Sequence, residues 1–310
     1  LKWLEISLVV EAELVEAACD LLSRHIPSGL AIQPEASSDD TPQPAGRFRV
    51  AGYLPVDSDL SSRLGRLEQG RWHMHQIRPL PLLTTRPIED RDWTEIWKEH
   101  FPPLAVGRRF QILPAWWSGE ADPTRLPIII DPGMAFGTGT HPSTQLCLEL
   151  LEDLPTQPDS VLDLGTGSGI LAIAAARTGA TRVLGIDIDE AAVASARENV
   201  RRNGVQEAVT IEAGSLVDLL AGVVPGRGTF HLVLANLIAH TLHSLLDSGL
   251  ASTVAPGGRL ILSGILAEQE AALIEHSLRL GLELEAQARS SDWTALQWRT
   301  TTAGLRPAVV

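Results

Sequence analysis

Val161-Leu162-Asp163-Leu164-Gly165-Thr166-Gly167-Ser168-Gly169-Ile170 reads as a buried strand running into a glycine-rich turn and then a helix over Gly169–Thr178. Glycines in such a turn let the backbone bend sharply and approach a ligand closely. The spacing is not that of the dinucleotide fingerprint GxGxxG. The third glycine follows after one residue, giving DxGxGxG, and Ile170 stands where a dinucleotide site needs glycine. The pattern therefore points to a small ligand other than a dinucleotide at the carboxyl end of this strand.

Downstream, strands and helices alternate. Strands are expected at Arg182–Asp187, Val209–Glu212, Phe230–Ala235 and Arg259–Ser263, and helices over Glu190–Asn203, Ile238–Leu250 and Glu268–Leu280. Near-continuous apolar strands separated by helices predict a mostly parallel, doubly wound α/β sheet covered on both faces. The last two strands, Glu283–Arg289 and Trp293–Thr300, have a short connection and should form an antiparallel hairpin. Asp187 ends the second strand, about 20 residues past the glycine turn, where a carboxylate can accept hydrogen bonds from both hydroxyls of a ribose. A nucleoside donor and a nicotinamide cofactor both carry such a ribose, so Asp187 alone does not separate them. Asp189 is the expected cap of the following helix. Asn236 ends the fourth strand, at the sheet edge where α/β proteins bind ligands. Its amide oxygen can hold a neutral amine, or its side chain can cap the next helix.

Upstream lies a second glycine-rich loop, Asp131–Thr144 (DPGMAFGTGTHPST), opening a helix through Leu154. Pro142 suits a helix start, and Thr140 or Ser143 could cap it. The first-turn N–H groups would favour an anion such as a carboxylate. Two strands, Arg109–Leu113 and Pro127–Asp131, precede this loop. Earlier still, strands at Lys2–Val10, Gly29–Gln33, Arg47–Leu54 and Trp72–Ile77 and helices at Ala12–Arg24 and Ser58–Gln69 give the order βαββαβ, the ferredoxin-like α+β pattern. Pro79, Pro81 and Pro87 mark a linker, with a short charged helix over Asp90–His100 that places Trp93 and Trp97 on one face. The expected organisation is a small domain over residues 1–80, a linker over 81–100 with its hinge near Thr84–Glu89, a ligand-binding domain over 101–300 and a tail over 301–310.

Composition narrows the function. The 310 residues carry 25 Lys+Arg against 38 Asp+Glu, a net charge of −13. That balance argues against direct DNA binding, which needs a basic surface. It is compatible with a basic protein partner. The excess is spread along the chain, with 11 basic and 16 acidic residues in the first hundred. No apolar run approaches the ~20 residues of a membrane span, and Leu1–Glu5 lacks the layout of a signal peptide. Two cysteines in apolar helical segments, Cys19 and Cys147, read as buried thiols in a reducing compartment, so a cytoplasmic location is expected. The chain shows no CxxC, HExxH or GxSxG, so neither a metal nor a hydrolytic nucleophile is indicated.

DxGxGxG resembles the first motif of S-adenosylmethionine-dependent methyltransferases. The combination DPGMAFGTGTHPST, DLGTGSGILAIAAARTGA, GIDID and LANLIA, with DRDWTEIWKEHF, closely resembles the PrmA family, whose members methylate large-subunit ribosomal protein eleven. The resemblance spans about Asp90 to Arg299. It implies a class I S-adenosylmethionine-dependent methyltransferase fold, a Rossmann-like doubly wound sheet with an antiparallel final hairpin, and a ferredoxin-like N-terminal domain that recognises substrate on a flexible linker. It implies S-adenosylmethionine contacts at Thr144, Gly165, Asp187 and Asn236, with Gly167, Phe136 and Thr138 in the same loops. Amine-modifying methyltransferases often carry Asn-Pro-Pro-Tyr at the Asn236 position. Leu-Ile in place of Pro-Pro excludes the usual adenine-N6 DNA type. The implied reaction is N-methylation of lysine ε-amines or an α-amine of a basic ribosomal protein, free or on the ribosome, by a monomer. Asn236 is the expected amine-orienting residue, and no dedicated base is required. His141 and His240 are the candidate bases, but His141 lies next to a helix start and His240 one turn into a helix, and each reads as structural. His73 and His75 should share one face of the strand expected at Trp72–Ile77. The alternatives are a related methyltransferase acting on another protein lysine or a small amine, and, from another class, a nicotinamide-dependent oxidoreductase or a silent ligand-binding module.

Overall fold

The computed structural model describes residues 3–23, 25–26, 30–34, 47–57, 59–77, 79–88, 102–131, 137–225 and 228–300. The chain divides into two compact units, Leu1–Phe101 and Pro102–Val310.

The first unit runs β1 (Trp3–Glu11), α1 (Val15–Ser23), β2 (Leu30–Pro34), β3 (Arg47–Pro55), α2 (Leu60–Ile77) and β4 (Thr84–Ile88). Its sheet is antiparallel in the order β2-β3-β1-β4. Alternation along β1 sends Ile6, Leu8 and Val10 into a core with Ala18, Leu21 and Leu22 of α1. Glu5 lies on the other face and is only 3% exposed. It forms ion pairs with Arg49 and with Arg86 (3.4 Å) and accepts a hydrogen bond from the Tyr53 hydroxyl at 3.4 Å. Burial, reinforced by the Glu5 charge, pushes the Tyr53 phenol up to about 12. These contacts tie β3 and β4 to the central strand.

Two expectations fail in this unit. Trp72–Ile77 is not a strand but the last turns of α2. Trp72 and Met74 imitate a period of two, yet Leu60, Leu64, Leu67 and Met74 recur at helical spacing and pack on the core. His73 and His75 therefore share no strand face. His73 Nδ1 lies 2.8 Å from the Gln69 carbonyl, and His75 Nδ1 lies 3.0 Å from the Leu80 amide. The fourth strand is Thr84–Ile88, paired with Trp3–Ser7 of β1. The segment expected to hinge thus belongs to the first sheet. The helix expected over Asp90–His100 lies outside the described residues, as does the tail 301–310.

The second unit begins with a three-stranded sheet, β5 (Leu104–Val106), β6 (Phe110–Pro114) and β7 (Leu126–Ile130), in which β6 and β7 are parallel. Then follow α3 (Pro142–Glu152), β8 (Ser160–Leu164), α4 (Ile170–Arg177), β9 (Arg182–Asp187), α5 (Glu190–Arg202), β10 (Val209–Ala213), α6 (Leu216–Ala221), β11 (Phe230–Asn236), α7 (Ala239–Asp247), β12 (Val254–Leu266), α8 (Glu270–Arg279), β13 (Leu282–Ser290) and β14 (Trp293–Thr300). The seven-stranded sheet has the order β10-β9-β8-β11-β12-β14-β13, with β14 antiparallel to both neighbours. α3, α4 and α5 supply one core layer, and α6, α7 and α8 the other. Helix α6 is short enough to escape periodicity, but it carries a Ser215–Asp218 capping box and ends at Gly222. Strand β12 extends well beyond the expected Arg259–Ser263.

Trp298 of β14 is fully buried, and its indole N–H has no hydrogen-bond partner. Trp298→Ala is expected to cost about 3–5 kcal/mol of stability. Trp298→Phe should cost distinctly less, because it keeps most of the ring and removes an unsatisfied donor. Urea unfolding midpoints of the two variants check the order.

Candidate active site

Strand β8 is buried throughout and delivers the chain to the glycine turn. Gly165 adopts φ +73°, and a Cβ there would lie 2.7 Å from Leu237 Cδ2. The Gly165 and Thr166 amides both donate to the Ile186 carbonyl, at 2.8 and 3.0 Å, which lays the turn across the end of β9. The Gly167 amide donates to Asp187 Oδ2 at 2.9 Å, and Asp187 Oδ1 accepts from the Asp189 amide at 3.0 Å. Asp189 caps α5 as expected, accepting from the Ala191 amide. Gly169 (φ +83°) lets α4 approach α5, since a Cβ would sit 3.2 Å from that of Ala196.

One residue of the motif has a role that the pattern alone does not announce. Asp163 is fully buried and accepts from Thr166 Oγ1 (2.6 Å) and from the Ala172 amide (3.1 Å). Burial pushes its carboxyl up to about 6, and these hydrogen bonds oppose the shift. The signal was a carboxylate inside an otherwise apolar strand.

The second glycine-rich loop forms a wall beside the turn. Gly137 (φ +102°) accepts a 2.6 Å hydrogen bond from Ser168 Oγ, and a Cβ at Gly139 would run into Ile112. The Thr138 and Thr140 hydroxyls lie 2.9 Å apart. Phe136 falls outside the described residues. The cap of α3 is neither Thr140 nor Ser143 but His141, whose Nδ1 accepts from the Ser143 amide at 3.2 Å. Thr144, one residue further, is fully buried.

Asn236 closes the arrangement. It ends β11, opposite Ser263 of β12, and its Nδ2 donates to Thr144 Oγ1 at 3.2 Å. The capping alternative is not realised, because α7 begins after Ile238 with no side-chain cap. Asn236 Oδ1 is buried and has no hydrogen-bond partner. A buried unpaired acceptor is costly, and here it sits at the carboxyl ends of the strands. Thr144, Asn236, Gly165, Gly167 and Asp187 thus form one contiguous series, linked through Leu237. Exposed Ile188 (80%) and Ile238 (47%) add apolar surface beside Asp187 and Asn236. His240 is exposed in the first turn of α7.

The His141 ring stands edge-on to Trp293 with centroids 4.5 Å apart. Burial holds its imidazole down at about 4. The unfolded chain therefore takes up a proton between about pH 6.5 and 4 that the folded chain refuses. The cost falls entirely in that window: stability is lost as pH drops through it, and none is lost to this group above it. His141→Asn, which retains a capping side chain, should lose about 1–2 kcal/mol less than the parent between pH 7 and pH 5. Asp163 titrates in the same range but is common to both proteins. Urea unfolding at the two pH values measures the difference.

A doubly wound sheet with one antiparallel strand, entered by a DxGxGxG turn and carrying an acidic residue on the next strand, is the architecture of a class I methyltransferase. The chain belongs to the family described as ribosomal protein L11 methyltransferase (PrmA), whose model matches residues 2–301. Proteins named ribosomal protein L11 methyltransferase from Chloroflexus aurantiacus and Geobacter sulfurreducens are 40% and 41% identical to it. Each alignment covers 96% of this chain and 98% of the relative. The crystal structure of ribosomal protein L11 methylase from Lactobacillus delbrueckii subsp. bulgaricus is 31% identical, with a TM-score of 0.58, and matches 65% of this chain and all of that one.

Proposed function

We propose that the chain binds S-adenosylmethionine at the carboxyl ends of β8, β9 and β11 and transfers its methyl group to amines of ribosomal protein L11. The observation that carries the reading is the unpartnered, buried Asn236 Oδ1, held by Thr144 beside the glycine turn. Asp187 would take the ribose hydroxyls, Gly165 and Gly167 would let the backbone close on the ligand, and Thr144 and Thr138 would line its other side. The residues fit such a donor: Asp187 stands at the end of β9 with its carboxylate on the Gly167 amide of the turn, and Ile188 offers an apolar face for a purine. When bound, S-adenosylmethionine supplies an electrophilic methyl group.

The protein's own contribution is to orient a neutral amine. A lysine amine has a pKa of about 10.4 and an α-amine about 8, so either must arrive without its proton. Apolar Leu237 and Ile238 favour the neutral form by desolvation. Asn236 Oδ1 accepts one amine N–H and leaves the lone pair free to point elsewhere. Positioning of this kind supplies a large share of a methyl-transfer rate. His141 has its Nδ1 engaged in capping α3 and is not needed as a base.

The first unit, with its βαββαβ order and antiparallel sheet, is read as a ferredoxin-like substrate-recognition domain. The acidic chain suits a basic ribosomal protein, and a monomer acting in the cytoplasm suits that role. No helix among the described residues is long and apolar enough to cross a membrane. Calorimetry with S-adenosylmethionine and with NAD tests the cofactor. Binding of the first alone supports the reading, and binding of NAD alone rejects it.

A further inference from the structure

The two glycine-rich segments are fastened to one another at two places, and both fastenings end on Ser168. At one, Ser168 Oγ donates to the Gly137 carbonyl at 2.6 Å. At the other, the connection passes through Asn199 of α5. Its Nδ2 donates to the Ser168 carbonyl at 2.9 Å, and its Oδ1 accepts from the Asp131 amide at 3.0 Å. Ser168 is 1% exposed and Asn199 fully buried. Asp131 and Gly137 are the described residues that bracket 132–136, so the chain is tied to the same point of the turn on entering and on leaving that stretch.

Helix α5 repeats the device one turn later. Asn203 donates to the Ile129 carbonyl (2.7 Å) and accepts from the Ile129 amide (2.9 Å), while Arg202 pairs with Asp131 at 2.8 Å. The helix thus substitutes for a neighbouring strand along the free edge of β7, satisfying backbone groups that would otherwise go unpaired. A carboxamide offers one donor and one acceptor at the span Asn199 has to bridge, whatever the pH. A carboxylate would turn an oxygen toward the Ser168 carbonyl.

We infer that Asn199 and Ser168 are positioning residues of the donor site. Neither is placed to touch the donor. They hold the Gly137–Thr140 wall in register with the Gly165–Gly167 turn before any ligand arrives, so binding does not have to bring the two together. This inference rests on the cofactor reading above.

The test measures affinity for S-adenosylhomocysteine by calorimetry, with thermal unfolding alongside, in the full chain and in Ser168→Ala, Asn199→Ala, Asn199→Asp and the double alanine variant. Each single alanine variant should bind about 10-fold more weakly. The double variant should bind far less than 100-fold more weakly, because either break already frees the wall. Asn199→Asp carries the diagnostic signature. Its buried carboxyl, facing a carbonyl, has a raised pKa, and on protonation it regains a donor toward Ser168. Its affinity relative to the unsubstituted protein should therefore recover from about 10-fold weaker at pH 8 to within about threefold at pH 5.5. The corresponding ratio for Asn199→Ala should stay constant. Asp163 titrates in this range in every protein and cancels in the ratios. Unaltered affinity in folded Ser168→Ala and Asn199→Asp at all pH values overturns the inference. Ser168→Ala removes one hydroxyl and decides the matter even where an Asn199 variant fails to fold. If the unsubstituted chain binds no product at all, the cofactor reading fails, and this inference fails with it.

Discussion

Asn236→Ala should lower kcat about 100-fold or more while weakening S-adenosylmethionine binding only a few-fold. The asymmetry follows from what the side chain touches. Nδ2 is spent on Thr144, an internal contact, and Oδ1 is a buried acceptor with no partner. If that oxygen aligns the amine, its loss removes orientation, which acts on the chemical step and hardly on donor affinity. Asn236→Asp keeps an acceptor at the same point and should retain more turnover than alanine. Its added charge would also favour the protonated, unreactive amine, so full activity is not expected. Turnover with a basic peptide and calorimetric affinity for the donor separate the two effects. Unchanged values of both would remove Asn236 from the active site.

Asp187→Ala should act on the opposite quantity, weakening donor binding about 100-fold or more. Two hydrogen bonds to a carboxylate contribute about 1.5–3 kcal/mol each, and the same side chain holds the Gly167 amide at 2.9 Å and the Asp189 amide at 3.0 Å. The substitution therefore removes a ligand contact and loosens the turn that cradles the ligand. Asp187→Asn keeps one acceptor for Gly167 and should lose about 10-fold. Calorimetry reads both variants directly. An Asp187→Ala protein with unaltered affinity would show that no ribose sits on β9.

Two things separate these residues from those that local pattern does not reveal: an uncommon residue in a familiar place, and partners far apart in the chain. The glycine turn, Asp187 and Asn236 were legible because each stands at the end of an apolar strand, where local pattern and general α/β topology coincide. The helix cap at His141 and the buried role of Asp163 depend on close neighbours, yet they run against ordinary residue preferences. Asn199 gave no signal at all, since its partners lie 31 and 68 residues away and only the packing of α5 against β7 brings them together. In the first unit, Trp72 and Met74 alternate as a strand would, but the leucines before them commit the segment to α2, and Thr84–Ile88 takes the vacant edge of β1. A five-residue strand containing a proline, at a sheet edge where its missing N–H costs little, is easily read as linker.

Methyl transfer itself is measured by incubating the full chain with S-adenosylmethionine carrying a labelled methyl group and a mixture of ribosomal proteins, then mapping the label by mass spectrometry. Label should appear on amine nitrogens of ribosomal protein L11 and be lost in Asn236→Ala. Label confined to an unrelated protein, or carried on atoms other than amine nitrogen, would contradict the proposed function.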